Sequence, residues 1–334
     1  MSSTNCYQLF HGGVSTWQVH LRAASELVLS LHGISSNINS RTPTSQHQSA
    51  SPSQSPDIVK ILSDFQSSPD NAALNFFTGA ILWFDILACV STGLEPYLAN
   101  YHDRLLLSAS LPISSQGGPS GPIELHTIMG CRNWMMVVIG RIATLKMWRG
   151  KCIESGTLDI NRVAETAGNI QLEIEFNCSR ISEELNALRE QYSGPPPHHQ
   201  PQVYKEYTAL VVTQIFACAG LIYLQTVVSS DPSVLHIQGA LQNIKMAMSL
   251  ILDPRMFRGL VWPLCVAGCM ASSQRDQEFF RNTVESAILD SPRFGNSGQA
   301  LQILEKSWEL QQERGRLIDC ATVIQELGAC ILLV

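Results

Sequence analysis

Cys265 and Cys269, four residues apart, are the closest this sequence comes to a metal-ligand spacing. On a helix they share one face, but a zinc site takes about four ligands, and no third or fourth stands near them in sequence. Buried thiols are the simpler reading. His198-His199 follows a proline-rich turn and reads as a solvated loop pair with at most adventitious metal affinity. His20 and His126 fall in helical sequence, as structural histidines. No metal ion and no cofactor is expected.

The catalytic patterns are missing as well. There is no GxGxxG or Walker-type loop to cradle a phosphate, no HExxH and no GxSxG. No two aspartates are adjacent, so the paired carboxylates that would hold magnesium against a diphosphate are also lacking.

One carboxylate stands out. Asp85 lies in GAILWFDILACV, where an unpaired charge would be expensive to bury. It must find a partner or face a cavity, and Arg132, Asn133 and Arg141 further along are the candidate partners. The structural reading is a buried pair that organises a helix bundle. The functional reading is the polar wall of an effector pocket bounded by Trp83, Asp85, Asn133, Trp134 and Arg141.

The elements around these residues read as helices, and the fold class expected is all-α, a multi-helix bundle or irregular helical array. Residues 14–34 carry Trp17, Leu21, Ala24, Val28 and Leu31 on one face. A second helix spans 71–91. A third starts at Pro122, a residue suited to a first helical position, and stops at Gly150. The sustained seam Ile160, Val163, Ala167, Ile170, Ile174, Cys178, Ile181, Leu185 and Leu188 predicts a long helix over 158–191. The SGPPPHHQP run (193–201) breaks the pattern. Further helices are expected at 202–229, 233–251, 256–272, 274–290 and 297–312.

Residues 35–57 differ in kind. Eight of these 23 are Ser and only Ile38 and Ala50 are apolar, too few to offset chain entropy, so a disordered linker is expected. Thr42, Ser51 and Ser55, each followed by Pro, are candidate phosphoacceptors or plain spacer residues. The division that follows is an N-terminal helical segment (1–34), a linker (35–57) and a helical domain (58–334).

Charge limits the partners. Only 15% of the 334 residues are charged, against about 25% in an ordinary domain, and the net charge is −6. Six Lys and 16 scattered Arg form no basic patch or import signal, so direct nucleic-acid binding is not expected. The polar start has no secretory pattern, and the ten Cys read as reduced intracellular thiols. The stretch from Tyr207 to Ser230 is uncharged and long enough to span a membrane. Thr213, Gln214 and Gln225 within it, and the lack of flanking basic residues, favour a buried core helix, and no membrane association is expected.

Phe76-Phe77 with LWFDILACVSTG (82–93), and IMGCRNWMMVVIGRIATLKMW (128–148), resemble the fungal-specific transcription factor domain. TWQVHLRAA (16–24), WPLCVAGCMA (262–271) and LQILEKSW (301–308) fit as well, so the resemblance covers about residues 8–312. It implies an all-α regulatory region of the kind that follows a zinc binuclear cluster, in a regulator of metabolic, specialised-metabolite or drug-response genes in a fungal nucleus. Such regulators read DNA through paired CxxCx6C elements. Here only Cys6 precedes residue 89 and no CxxC occurs. The expectation is a transcriptional regulator or co-regulator without its own zinc cluster. It would pair, as a homo- or hetero-oligomer, with a DNA-binding regulator and respond to a small-molecule effector. The alternative is an all-α enzyme or small-molecule-binding protein of a specialised-metabolite pathway.

Overall fold

The strongest periodic signal forms one 33-residue helix, Ile160–Tyr192. Asp159 starts it by accepting the N–H groups of Asn161 (3.0 Å) and Arg162 (3.2 Å), donors that a helix start leaves without partners. Ser193 ends it at φ +53°, the left-handed conformation of a C-terminal cap, and prolines follow. Val163, Ala167, Ile170, Ile174, Ile181 and Leu185 form its buried stripe. Ile160, expected in that seam, is 72% exposed because it lies at the helix mouth, where no neighbouring helix reaches it.

The computed structural model describes residues 17–31, 70–107, 123–196, 199–229, 234–251, 253–290, 297–329 and 331–334. The expected linker 35–57, with Thr42, Ser51 and Ser55, lies outside them, as does His198. In chain order the helices are α1 (Trp17–Leu31), α2 (Asp70–Thr92), α3 (His126–Met129), α4 (Asn133–Glu154), α5 (Ile160–Tyr192), α6 (Pro201–Val228), α7 (Val234–Met248), α8 (Val261–Gly268), α9 (Gln274–Asp290), α10 (Ser297–Arg314) and α11 (Cys320–Glu326). Short 3₁₀ turns occupy Ala99–Tyr101 and Pro254–Leu260, and a π turn occupies Asp103–Leu107. Among the described residues there is no strand, so the fold is an all-α array.

α6 is the central post. It packs against α4, α5, α7 and α8, and 72% of its most apolar window is buried. Both α2, over Ala72–Thr92, and α6 are long and apolar enough to cross a membrane by length and composition. Here both are enclosed by other helices, as core helices are. Trp262 of α8 is fully buried, stacked on Phe216 at 5.7 Å and meeting Tyr223 edge-on at 6.1 Å. A second, smaller cluster joins Trp17 and Leu21 of α1 to Ala80, Phe84 and Ala88 of α2 and to Leu332.

Two expected helices are divided. The one from Pro122 to Gly150 is the single turn α3 followed by α4. Gly130, at φ +79°, ends α3, and Val212 of α6 packs 3.5 Å from where its Cβ would stand. Gly150 lies inside α4, which continues to Glu154. The 256–272 helix is a 3₁₀ turn leading into the shorter α8.

α4 also passes very close to the π turn. A Cβ at Gly140 would lie 2.9 Å from His102 Nδ1 and 3.1 Å from its Cε1, and that imidazole is buried. Gly150, ten residues on, has nothing within 4 Å. Alanine at the two positions therefore has opposite effects on urea unfolding. Gly140→Ala lowers stability by about 1–3 kcal/mol through overpacking, whereas Gly150→Ala raises it by about 0.5–1 kcal/mol through helix propensity. The same sign at both positions would refute this packing.

Candidate functional site

The GCRNW segment (130–134) holds a three-way junction. Arg132 donates its backbone N–H to Thr213 Oγ1 of α6 (2.9 Å), and that hydroxyl is in turn bonded to the Ala209 carbonyl (2.6 Å). Its guanidinium pairs with Glu184 of α5 at 2.8 Å and with Glu206 of α6. Asn133 faces the other way. Its Nδ2 donates to the carbonyls of Leu106 (2.7 Å) and Ile123 (2.6 Å), and its Oδ1 accepts the Leu125 N–H (2.8 Å). All three hydrogen bonds tie down irregular backbone that would otherwise lack partners.

Asp85 finds its partners in backbone rather than in Arg132, Asn133 or Arg141, which corrects the sequence expectation. Its Oδ1 accepts the Tyr97 N–H and its Oδ2 the Leu98 N–H, both at 2.8 Å, so the carboxylate caps the turn after α2. His102 Nε2 stands 3.8 Å from Oδ2, beyond hydrogen-bond distance. Trp83 lies on another face of α2, stacked on Phe84 at 5.3 Å, with its indole N–H buried and unpartnered. Trp134 is half-buried against the main core. Arg141 is surface-facing and pairs with Glu173 (3.0 Å) and Asp103 (3.4 Å). The five candidate residues thus do not converge on one cavity. The residue types were legible in the sequence, but the backbone N–H groups that bond Asp85 and the backbone carbonyls and N–H that bond Asn133 were not.

Arg141 does line a groove of about 490 Å³ between α4, α5 and the 95–100 loop. Leu145, Trp148 and Ile170 supply apolar surface, and Thr144, Thr166 and Asn169 supply hydrogen-bonding groups. Arg162 sits with its guanidinium carbon 4.9 Å from the centroid of the Trp148 ring. Sequence reading missed Trp148 and Arg162. The available signal was the short turn between α4 and α5, which places the end of one helix beside the start of the next.

The cysteine pair lies deep in the core. Cys265 and Cys269 are both fully buried, and Cys320 of α11 lies close enough to influence them, a third thiol that sequence distance had hidden. Burial pushes the Cys269 thiol well above its ordinary pKa. Among the described residues no group of three or more His, Cys, Asp or Glu is arranged to hold a metal ion.

The polar residues of α2 and α4 therefore sort into scaffold and surface, and denaturation distinguishes them. Asp85→Ala leaves two N–H groups without a partner and costs about 2–4 kcal/mol in unfolding free energy. Arg141→Gln, at an exposed ion pair, costs about 0–1 kcal/mol. Equal losses at both positions would contradict this assignment.

Comparison with known proteins places this architecture. The chain is 27% identical to transcription factor dibT of Pestalotiopsis microspora, over 95% of this chain and 50% of that protein. It is 29% identical to the trichothecene biosynthesis transcription regulator TRI10 of Trichoderma arundinaceum, over 89% of this chain and 63% of the relative. It is 25% identical to the pestheic acid cluster transcriptional regulator 3 of Pestalotiopsis fici, over 92% and 50% respectively. The chain spans about half the length of the curated relatives it matches. No solved structure matches it. These relatives are named as transcription factors and regulators of specialised-metabolite clusters, not as enzymes. The family model described as the fungal specific transcription factor domain spans residues 1–334, and the chain belongs to that family.

Proposed function

We propose that this chain is the regulatory body of a transcriptional regulator for a specialised-metabolite gene cluster. It acts in the nucleus, contacts DNA through a DNA-binding partner and answers to a small-molecule effector. The observation that carries the reading is the family match over the whole chain, together with relatives named for trichothecene and pestheic acid biosynthesis that align with about nine-tenths of it.

Two features support the finer parts. A net charge of −6 and the absence of a basic run disfavour phosphate contact by the chain itself, and this favours a partner for reading DNA. Leu172 and Phe176, one turn apart on α5, are each 65% exposed on the side away from its buried stripe. Adjacent exposed apolar side chains of that size suit association with another helix. The α4–α5 groove supports effector sensing, since its volume falls within the roughly 300–1,000 Å³ of small-molecule sites.

Deleting the gene in the fungus that carries it tests the reading. Transcripts of one contiguous biosynthetic cluster are expected to change about tenfold while housekeeping transcripts stay level. Chromatin immunoprecipitation of the tagged chain recovers the promoters of that cluster. Unchanged transcripts across all clusters would overturn the proposal.

A further inference from the structure

We infer that the groove between α4 and α5 binds a small planar aromatic acid bearing hydroxyl groups, with Arg162 as the partner of its carboxylate. The inference deepens the effector reading above and rests on it for biological purpose, though not for the chemistry of binding.

The charges in the groove discriminate among ligands. Of its two arginines, Arg141 is already neutralised by Glu173 and Asp103. Arg162 has no carboxylate partner among the described residues, and its guanidinium is held over Trp148. The ring restrains the side chain, so pairing it with an anion orders little that is not already ordered, and guanidinium geometry favours a carboxylate. Glu95, on the opposite wall, has no cationic partner among the described residues and can accept hydrogen bonds from a ligand.

The same rim argues against a multiply charged anion. Glu95 and Glu173 place two carboxylates beside the two arginines, so a phosphate or nucleotide would meet as much repulsion as attraction. A singly charged acid with hydroxyl donors satisfies both walls, with its carboxylate on Arg162 and its hydroxyls on Glu95 and Asn169. The floor sets the shape of the body. Leu145 and Ile170 are buried at 5% exposure each, and with half-buried Trp148 they supply the apolar base on which an aromatic ring would rest. At about 490 Å³ the groove holds a molecule of that size and excludes a folded partner.

The probe is 6-hydroxy-2-naphthoate, a one-hydroxyl member of this class that can meet Arg162 and one of the two hydroxyl partners, titrated into the purified full chain by isothermal calorimetry. Saturable one-to-one binding at sub-millimolar concentration is expected. Arg162→Gln weakens it about threefold to fivefold, 2-naphthol, which lacks the carboxylate, binds more weakly by a similar factor, and inorganic phosphate does not compete. Thr166→Trp, on the half-buried rim, fills the groove and abolishes binding while thermal unfolding stays cooperative. No saturation up to millimolar probe, or binding that neither Arg162→Gln nor Thr166→Trp weakens, overturns the inference. Because the titration reads binding alone, its failure leaves the transcript experiment to stand or fall separately.

Discussion

The structure depends on burying α6. Sixteen of its residues are buried, from Tyr207 to Val227, and they lie on every side of the helix rather than along one stripe. A helix apolar all round cannot be left on a surface, because each large side chain exposed forfeits roughly 1.5–3 kcal/mol. Four helices must therefore surround it, and α4, α5, α7 and α8 do so. Thr213 is satisfied locally: it bonds the Ala209 carbonyl one turn back and also receives the Arg132 N–H, so a hydroxyl in the core becomes an anchor for the α3–α4 junction.

That requirement explains why the GCRNW and WPLCVAGC segments are architectural. In GCRNW, Gly130 turns the chain against Val212, Arg132 joins α5 to α6, and Asn133 satisfies three backbone groups across the 106–125 region. WPLCVAGC works the same way on the opposite flank. Trp262 fills the space beside Phe216, the Gly268 carbonyl accepts the Trp308 indole N–H at 2.9 Å, and Leu304 packs where a Cβ of Gly268 would stand. Motifs that hold a scaffold can recur in regulators with different effectors and target genes, since function resides in sites placed on the fold. Of the groove residues, Trp148 still packs against the core while Arg162 is exposed and has no ion-pair partner among the described residues.

Periodicity made the long helices legible. The α5 seam, the boundaries of α2 and α9, and the proline break after α5 all follow from local spacing and turn chemistry. What escaped was non-local or carried by backbone. Asp85 announced itself as a buried carboxylate, but its partners are the N–H groups of Tyr97 and Leu98, and residue type reveals nothing about a backbone donor. The division of α3 from α4 depends on Gly130 meeting Val212, some eighty residues away. Cys320 reaches Cys265 and Cys269 only because α11 returns to the core after α10. The low charge read from composition has its physical origin here too, in α8 and in the Tyr207–Val227 stretch of α6, which expose little surface on which charge could sit.

The groove and the exposed face of α5 belong to one mechanical unit. Arg162, Thr166, Asn169 and Glu173 line the groove, while Leu172 and Phe176 lie on the neighbouring flank of the same helix. The buried stripe of α5 rests on α6, which is itself fixed on all sides, so α5 can shift mainly by sliding or rolling along that contact. Ion pairs from Arg132 and Arg141 restrain such movement at two places, Glu184 and Glu173. On the binding proposed above, a ligand lodged between α4 and α5 would act on the second of these restraints directly. Coupling of that kind need not be large: a difference of about 1.4 kcal/mol in ligand affinity between two placements of α5 changes their ratio tenfold.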